Sequence, residues 1–72
     1  MTTWTPERIR ALREHARLTQ ADLAVLCRVH TNAVYYWEAG KRDPNWFSQR
    51  QLDMVAKRQK FALDSSGGGM AK

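Results

Sequence analysis

The stretch that decides the fold is residues 18–40, which run LTQADLAVLCRVHTNAVYYWEAG. Its pattern predicts two short helices that meet across a tight turn. Two helices in this arrangement are the minimum device for placing the second helix in the major groove of DNA. Sequence-specific DNA binding is therefore the first hypothesis for this chain.

The first of these two helices has a complete start signal. Thr19 and Asp22 have the spacing of a capping box, and Leu18 and Leu23 have the spacing of a hydrophobic staple around it. We therefore expect the helix to begin directly after Thr19.

The second helix is predicted to follow a turn at Arg28 and Val29, to begin at His30 or Thr31, and to end at Gly40. Helical spacing assigns the inward-facing positions of the two helices. They are Leu23, Leu26, Cys27, Val34 and Trp37.

A further helix is predicted at the N-terminal end. Thr5 caps it, Pro6 occupies the first helical position, and Glu7 lies at the positive end of the dipole. Trp4 and Ile9 form a hydrophobic staple. The helix is expected to end near Ala16, with Ile9, Leu12 and Ala16 facing inward and Arg8, Arg10 and Arg17 facing solvent.

After the loop at residues 41–45, a third capping box at Ser48 and Gln51, with a staple of Phe47 and Leu52, predicts a last helix that ends near Ala62. Its inward positions are Leu52, Val55, Ala56 and Leu63. The run of serine and glycine near the end predicts a flexible tail. We expect one domain over residues 1–64 and a tail over 65–72.

Composition agrees with a small basic domain. The chain has 72 residues, 43% hydrophobic and 26% charged, with a formal charge of +5 and a pI near 10.0. Such a charge attracts polyanions. Charge alone leaves two interpretations open, a nucleic-acid binder or a domain with a solvated charged surface.

Enzymatic chemistry is not expected, because no carboxylate pair, nucleophile with base or phosphate-binding glycine loop has a workable spacing. His15, Cys27 and His30 lack the usual spacing of zinc ligands, so neither a metal nor a cofactor is expected. The single cysteine and the lack of a signal peptide or apolar span predict a cytoplasmic, soluble protein.

Many positions together resemble the phage-repressor type of helix-turn-helix domain, the Cro-like or XRE-like family. The resemblance covers roughly residues 6–44 and fades beyond Pro44. It depends on Ile9, Leu12, Arg13, Glu14, Leu18, Thr19, Gln20, Leu23, Ala24, Val29, Val34, Trp37, Glu38, Gly40, Lys41, Arg42 and Pro44. It implies an all-α fold, a compact, lambda-repressor-like bundle of four to five helices.

The resemblance also implies a binding site, in which the second helix of the pair reads base edges. The base-facing positions are Thr31, Asn32, Tyr35 and Tyr36, and the phosphate contacts are Gln20, His30, Lys41 and Arg42. Asparagine suits adenine, and threonine and tyrosine suit thymine or phosphate. The alternatives stay open that the tyrosines belong to the core or a dimer contact, and that Gln20, Lys41 and Arg42 have no partner.

Arg13 and Glu38 lie where the family commonly pairs an arginine with a glutamate, which predicts a partly buried salt bridge. Two positions depart from the family. Arg28 replaces the usual glycine of the turn, so the turn is either strained or differently shaped. His30 replaces the usual serine cap, so Thr31 is an alternative cap.

Trp46, Met54 and Phe61 lie outside the apolar stripe of the last helix, and they predict a homodimer contact, with extra cover for a monomeric core as the alternative. A dimer would prefer a palindromic operator. The function expected is transcriptional regulation, most simply repression by covering a promoter, in a phage, toxin-antitoxin or other mobile-element operon. A protein-binding adaptor on the same scaffold is the alternative.

Overall fold

Four helices form the fold in a computed structural model that describes residues 4–61. They are α1 (Pro6–His15), α2 (Gln20–Cys27), α3 (Thr31–Glu38) and α4 (Trp46–Arg58). The predicted all-α class and the helix-turn-helix of α2 and α3 are confirmed. Part of the last predicted helix, Leu63 and the boundary between domain and tail at residue 64 lie outside the described residues.

The starts of α1 and α2 follow the predicted capping chemistry. The Thr5 hydroxyl accepts from the amide of Arg8 at 3.2 Å, with Pro6 in the first turn. At α2 the amide of Asp22 donates to the Thr19 hydroxyl at 3.0 Å, and the amide of Thr19 donates to the Asp22 carboxylate at 3.1 Å. Each pair satisfies amides that a helix leaves without an internal acceptor.

The start of α4 was predicted wrongly. Asn45, not Ser48, is the N-cap, and its side-chain oxygen accepts from the amide of Ser48 at 2.8 Å. The helix therefore begins at Trp46, and it ends at Arg58 rather than near Ala62. Asparagine and serine cap about equally well, so cap chemistry allows both starts, and in the fold Ser48 lies buried inside the helix.

All four helices end in the same way, with one residue in the left-handed conformation. These residues are Arg17, Arg28, Gly40 and Lys60, with φ of 59°, 60°, 75° and 57°. After α3, the amides of Gly40 and Lys41 donate back to the carbonyls of Trp37 and Tyr36, which is the Schellman arrangement. The same pair of bonds ends α1, α2 and α4. Three of the four helices therefore stop without a glycine.

An apolar residue that packs onto the core follows each of the three left-handed cationic residues, Arg17, Arg28 and Lys60. The apolar residues are Leu18, Val29 and Phe61. Such a contact commonly accompanies the Schellman arrangement and fixes the direction in which the chain leaves the helix. The short connections between α1, α2 and α3 are set in this way.

The core lies where α3 packs on α1 and α2, and where α4 packs on α2. Its buried apolar members are Trp4, Ile9, Leu12, Leu23, Ala24, Cys27, Val34, Trp37, Leu52, Val55 and Ala56. Leu26, predicted to face inward, is 41% exposed, and Ala24 takes the inner position. Arg8, predicted to face solvent, is half-buried beside the rings of Trp4 and Phe61.

The N-terminal segment is fastened to the last helix. The indole Nε1 of Trp4 donates to the Asp53 carboxylate at 2.7 Å, and the Trp4 ring stacks on Phe61 with centroids 6.4 Å apart. Trp4 itself is buried. This bond and the stacking hold the segment before α1 against α4 and the residue that follows it.

Candidate nucleic-acid interface

The helix α3 presents one exposed face and one buried face. Thr31, Asn32, Tyr35 and Tyr36 recur at the spacing of a single helical face and are all exposed. The inner face carries Val34, Trp37 and Glu38, which are buried. The four side chains expected to face bases are therefore brought together on the surface.

The two tyrosines form an aromatic pair on that surface. Their rings meet edge to face with centroids 5.6 Å apart, and the guanidinium of Arg42 lies 5.9 Å from the Tyr36 ring. Neither tyrosine belongs to the core. Aromatic rings beside a cation and the short side chains of Asn32 and Thr31 give the face both apolar and hydrogen-bonding groups.

The start of α3 is capped by His30. The ring Nδ1 of His30 accepts from the amide of Asn32 at 3.1 Å, so the alternative of Thr31 as the cap is wrong and the helix begins at Thr31. This bond requires Nδ1 to be the unprotonated nitrogen of the ring. The other ring nitrogen, Nε2, belongs to an exposed side chain at the N-terminal end of α3.

The turn before α3 has the left-handed geometry that the family provides with glycine. Arg28 has φ 60° and ψ 43°. The first of the two alternatives for this turn, a strained but family-like backbone, is therefore the one observed. A non-glycine residue in this conformation costs roughly 1 to 2 kcal/mol.

The orientation of α3 is fixed from inside by an ion pair. Arg13 of α1 donates from Nε to one oxygen of Glu38 at 2.7 Å and from a terminal nitrogen to the other at 2.9 Å. Glu38 is only 7% exposed. A planar guanidinium that holds both carboxylate oxygens fixes distance and angle together.

Two other side chains, which the sequence did not assign to Glu38, complete this network. Gln20 donates from its side-chain amide to Glu38 Oε1 at 3.2 Å, and Arg10 donates to the Glu38 carbonyl at 3.2 Å. Arg10 lies three residues before Arg13 on α1, and this spacing on one helix face was the available signal for it. Nothing in the sequence indicated the contact of Gln20.

The network determines the ionisation of its members. Burial acts to raise the pKa of Glu38, but the hydrogen bonds from Arg13 and Gln20 and the positive charges of Arg13 and Arg10 outweigh it and lower that pKa. The hydrogen bond to Glu38 raises the pKa of Arg13. Both charges are therefore held in the folded state.

The phosphate contacts expected from the sequence fall into two groups. Lys41 and Arg42 are exposed directly after α3, and His30 is exposed directly before it. Gln20 lies in the first turn of α2, but its side-chain amide is bonded to Glu38. That bond uses one of the two amide hydrogens, so the side chain of Gln20, together with the first backbone amides of α2, stays a predicted donor for an anion.

The three residues predicted for a dimer contact lie in different surroundings. Trp46 is 71% exposed and has the Arg50 guanidinium 5.2 Å from its ring. Met54 is exposed and lines a groove beside α2. Phe61 stacks on Trp4 and meets His15 edge to face, so it packs on the core of its own chain, as the alternative of extra core cover expects.

The three residues that the sequence analysis considered as metal ligands each have a different role in the fold. His15 donates from Nε2 to the carbonyl of Gln59 at 2.7 Å, and His30 caps α3. Cys27 is buried, and burial raises its thiol pKa to about 11.

No helix among residues 4–61 is long and apolar enough to cross a membrane.

Comparison with known proteins agrees with this geometry. A family model described as a helix-turn-helix domain matches residues 7–57, so the likeness extends past Pro44, where it was expected to fade. No curated protein matches the chain. Among solved structures, the DNA-binding domain of the P22 C2 repressor (residues 1–76), determined in solution by NMR, is 30% identical with a TM-score of 0.70. The match covers 79% of this chain and 75% of that one. The chain therefore belongs to the helix-turn-helix domain family.

Proposed function

We propose that the protein is a sequence-specific regulator of transcription that binds double-stranded DNA in the cytoplasm, and not an enzyme. The observation that carries the proposal is the outer face of α3, where four polar or aromatic side chains are exposed next to the cationic side chains of Lys41 and Arg42. An α-helix fits the major groove, where each base pair has its own pattern of donors and acceptors.

The proposed base contacts follow from the chemistry of the face. Asn32 offers both a donor and an acceptor, which suits the two adjacent groups of adenine. Thr31 offers a hydroxyl and a methyl group, and Tyr35 and Tyr36 offer rings for a thymine methyl and hydroxyls for bases or phosphates. We assign sequence preference to these four residues.

The proposed phosphate contacts lie around that face. The backbone amides of Gln20 and Ala21, the first two of α2, have no acceptor within the helix and lie at its positive end, ahead of the Asp22 amide that Thr19 caps. His30, Lys41 and Arg42 add donors on both sides of α3. Contacts of this kind set the affinity and the position of the protein on the duplex but do not distinguish bases.

Repression by covering a promoter is the mode of regulation that we propose. It is supported by the likeness to the DNA-binding domain of the P22 C2 repressor. A phage, toxin-antitoxin or other mobile-element operon is the proposed setting. The chain needs no cofactor for this mode, because occupancy alone excludes polymerase.

A homodimer on a palindromic operator is part of the proposal, with Trp46 as its contact. A large aromatic ring this exposed, beside a cation, is typical of residues that anchor protein interfaces. Two copies related by a two-fold axis would present their α3 helices to half-sites about one helical turn apart.

Selection of bound duplexes from a random library by the full chain tests the proposal. We expect an enriched motif made of two inverted half-sites about 10 base pairs apart from centre to centre. A single half-site would contradict the dimer alone, and Trp46→Ala should then make no difference to the motif. Failure to retain any duplex at low ionic strength would overturn DNA binding itself.

A further inference from the structure

A groove lies between the C-terminal part of α2 and the outer side of α4. It has a volume of about 330 Å³, and its apolar walls are formed mainly by Val25, Leu26 and Met54. Val25 is 75% exposed and Leu26 is 41% exposed, although both belong to a short helix whose other face is in the core. Exposed apolar side chains gathered around a concave surface mark an interaction site.

The rim of the groove is cationic. Arg28, at the end of α2, and Arg58, at the end of α4, line it together with two glutamine side chains. Among the described residues that line it, none is acidic. The occupant that complements this surface combines apolar side chains with carboxylates, because carboxylates pair with guanidinium groups in a bidentate geometry.

The positive surface continues along α4. A second, more open groove shares Met54 and is lined by Arg50 and Lys57. Its one carboxylate, Asp53, already accepts a hydrogen bond from Trp4. A partner segment that extends past the first groove therefore meets further positive charge.

Nucleic acid fits this groove less well than a protein does. A phosphate backbone leaves the apolar walls at Val25 and Leu26 uncovered. The groove also lies at the C-terminal end of α2, whereas the proposed DNA face includes the N-terminal end of that helix. The groove is thus distinct from the DNA face in both position and chemistry.

A second copy of the chain also fits less well. In a two-fold contact the same patch meets itself, so Arg28 and Arg58 of one copy would approach the same residues of the other. Like charges at close range oppose such a contact. The charge of the rim favours a partner of opposite sign.

We infer that this groove docks an acidic, amphipathic segment of another protein, whose apolar side chains enter between α2 and α4 while its carboxylates pair with Arg28 and Arg58. The inference goes beyond DNA binding, since it gives the regulator a second surface. None of the described residues that line the groove belongs to α3.

Selection of peptides tests the inference. A displayed library of random 12-residue peptides is panned against the full chain, and the enriched peptides are synthesised with a fluorophore for anisotropy titration. We expect enriched peptides to combine Leu, Phe or Met with several Asp or Glu. Their affinity should fall at least tenfold with Arg58→Glu and with the uncharged change Val25→Ser.

The control is Arg17→Glu, which makes the same change of charge at an exposed residue outside the groove and should reduce affinity less than threefold. Circular dichroism verifies that each variant remains folded. Three outcomes would overturn the inference: no enrichment, enriched peptides without acidic residues, or binding that is indifferent to both groove changes. Concentration-dependent self-association that Val25→Ser abolishes would assign the groove to a second copy instead.

The duplex selection separates this inference from the proposed function. Arg58→Glu should return the same DNA motif as the wild-type chain. Loss of the motif in this variant would place the groove in the DNA interface and overturn its assignment to a protein partner. Loss of peptide binding with an unchanged motif supports the two surfaces as separate.

Discussion

The inner and outer faces of α3 belong to the same eight-residue helix but have opposite surroundings. On the inner face, Val34 and Trp37 enter the core and Glu38 is held by Arg13. On the outer face, Asn32 and Tyr36 meet solvent. The difference shows how one short helix can be held rigidly by one set of residues while another set remains available for recognition.

The strongest test of this comparison removes the ion pair of the inner face. Arg13→Ala leaves the buried Glu38 carboxylate without its bidentate partner, and we expect the free energy of unfolding to fall by about 3 kcal/mol. Urea denaturation measures it. Arg10→Ala is the comparison variant and should lose less, because the half-exposed Arg10 side chain donates to the Glu38 carbonyl rather than to its carboxylate, and its Nε lies 3.9 Å from Oε1. Equal losses for the two variants would contradict a dominant Arg13–Glu38 pair.

Acid provides a second test of the same face. The pKa of Glu38 is lowered in the folded state, so its contribution to stability is present above the ordinary glutamate pKa of about 4.3 and is lost as pH falls from there through the folded value. The free energy of unfolding, measured by urea between pH 7 and pH 3, should therefore fall more in the wild-type chain than in Arg13→Ala. Parallel pH profiles would mean that Arg13 does not lower this pKa.

A change on the outer face should affect the preference for DNA sequence and leave the stability of the fold nearly unchanged. Asn32→Ala should change the free energy of unfolding by less than about 0.5 kcal/mol, because the side chain is exposed. It should relax the preference at one base pair of the selected site by about 1 to 3 kcal/mol. Titration of single-base variants of the site measures this. An unchanged ranking of those variants would remove Asn32 from the base-reading set.

Arg42, which lies beside the outer face, should affect the affinity for DNA without affecting the preference for its base sequence. Arg42→Ala should weaken binding to all sequences alike and reduce the slope of log K against log salt by about 1. Titrations at several salt concentrations measure that slope. Lys60→Asn, an equal loss of charge after α4, is the control and should leave the slope nearly unchanged. A base-specific effect of Arg42→Ala would move this residue into the base-reading set.

Much of this fold was predictable because its signals are local. Caps such as Thr5 and Thr19 and the inward spacing of Val34 and Trp37 depend on residues within two turns of each other. The start of α4 was missed because Asn45 and Ser48 are both good caps three residues apart, and local chemistry does not rank them. The placement of Phe61 depends on Trp4, which is distant in sequence.

The candidate site was predictable to the same extent. The exposed set on α3 follows from helical spacing once the inner face is assigned, and the family resemblance supplied the pairing of Arg13 with Glu38. The bond from Gln20 to Glu38 and the groove at Val25 and Met54 required the packing of helices against one another. Contacts between separate helices carry no local pattern.

We expect the smallest effect on the free energy of unfolding from the turn that connects α2 to α3. Arg28 has a left-handed backbone, so Arg28→Gly relieves a strain of roughly 1 to 2 kcal/mol in the folded state. Glycine also makes the unfolded chain more flexible, which lowers the free energy of unfolding by roughly 0.4 to 1 kcal/mol. Arg28→Ala loses the same charge but keeps the strained backbone. We therefore expect the glycine variant to exceed the alanine variant in free energy of unfolding by about 0.5 to 1 kcal/mol in urea. Both should select the wild-type DNA motif, because the path of the turn is unchanged. Equal stability of the two would mean that the Val29 contact and the Schellman bonds, rather than the residue type, determine the energy of this turn.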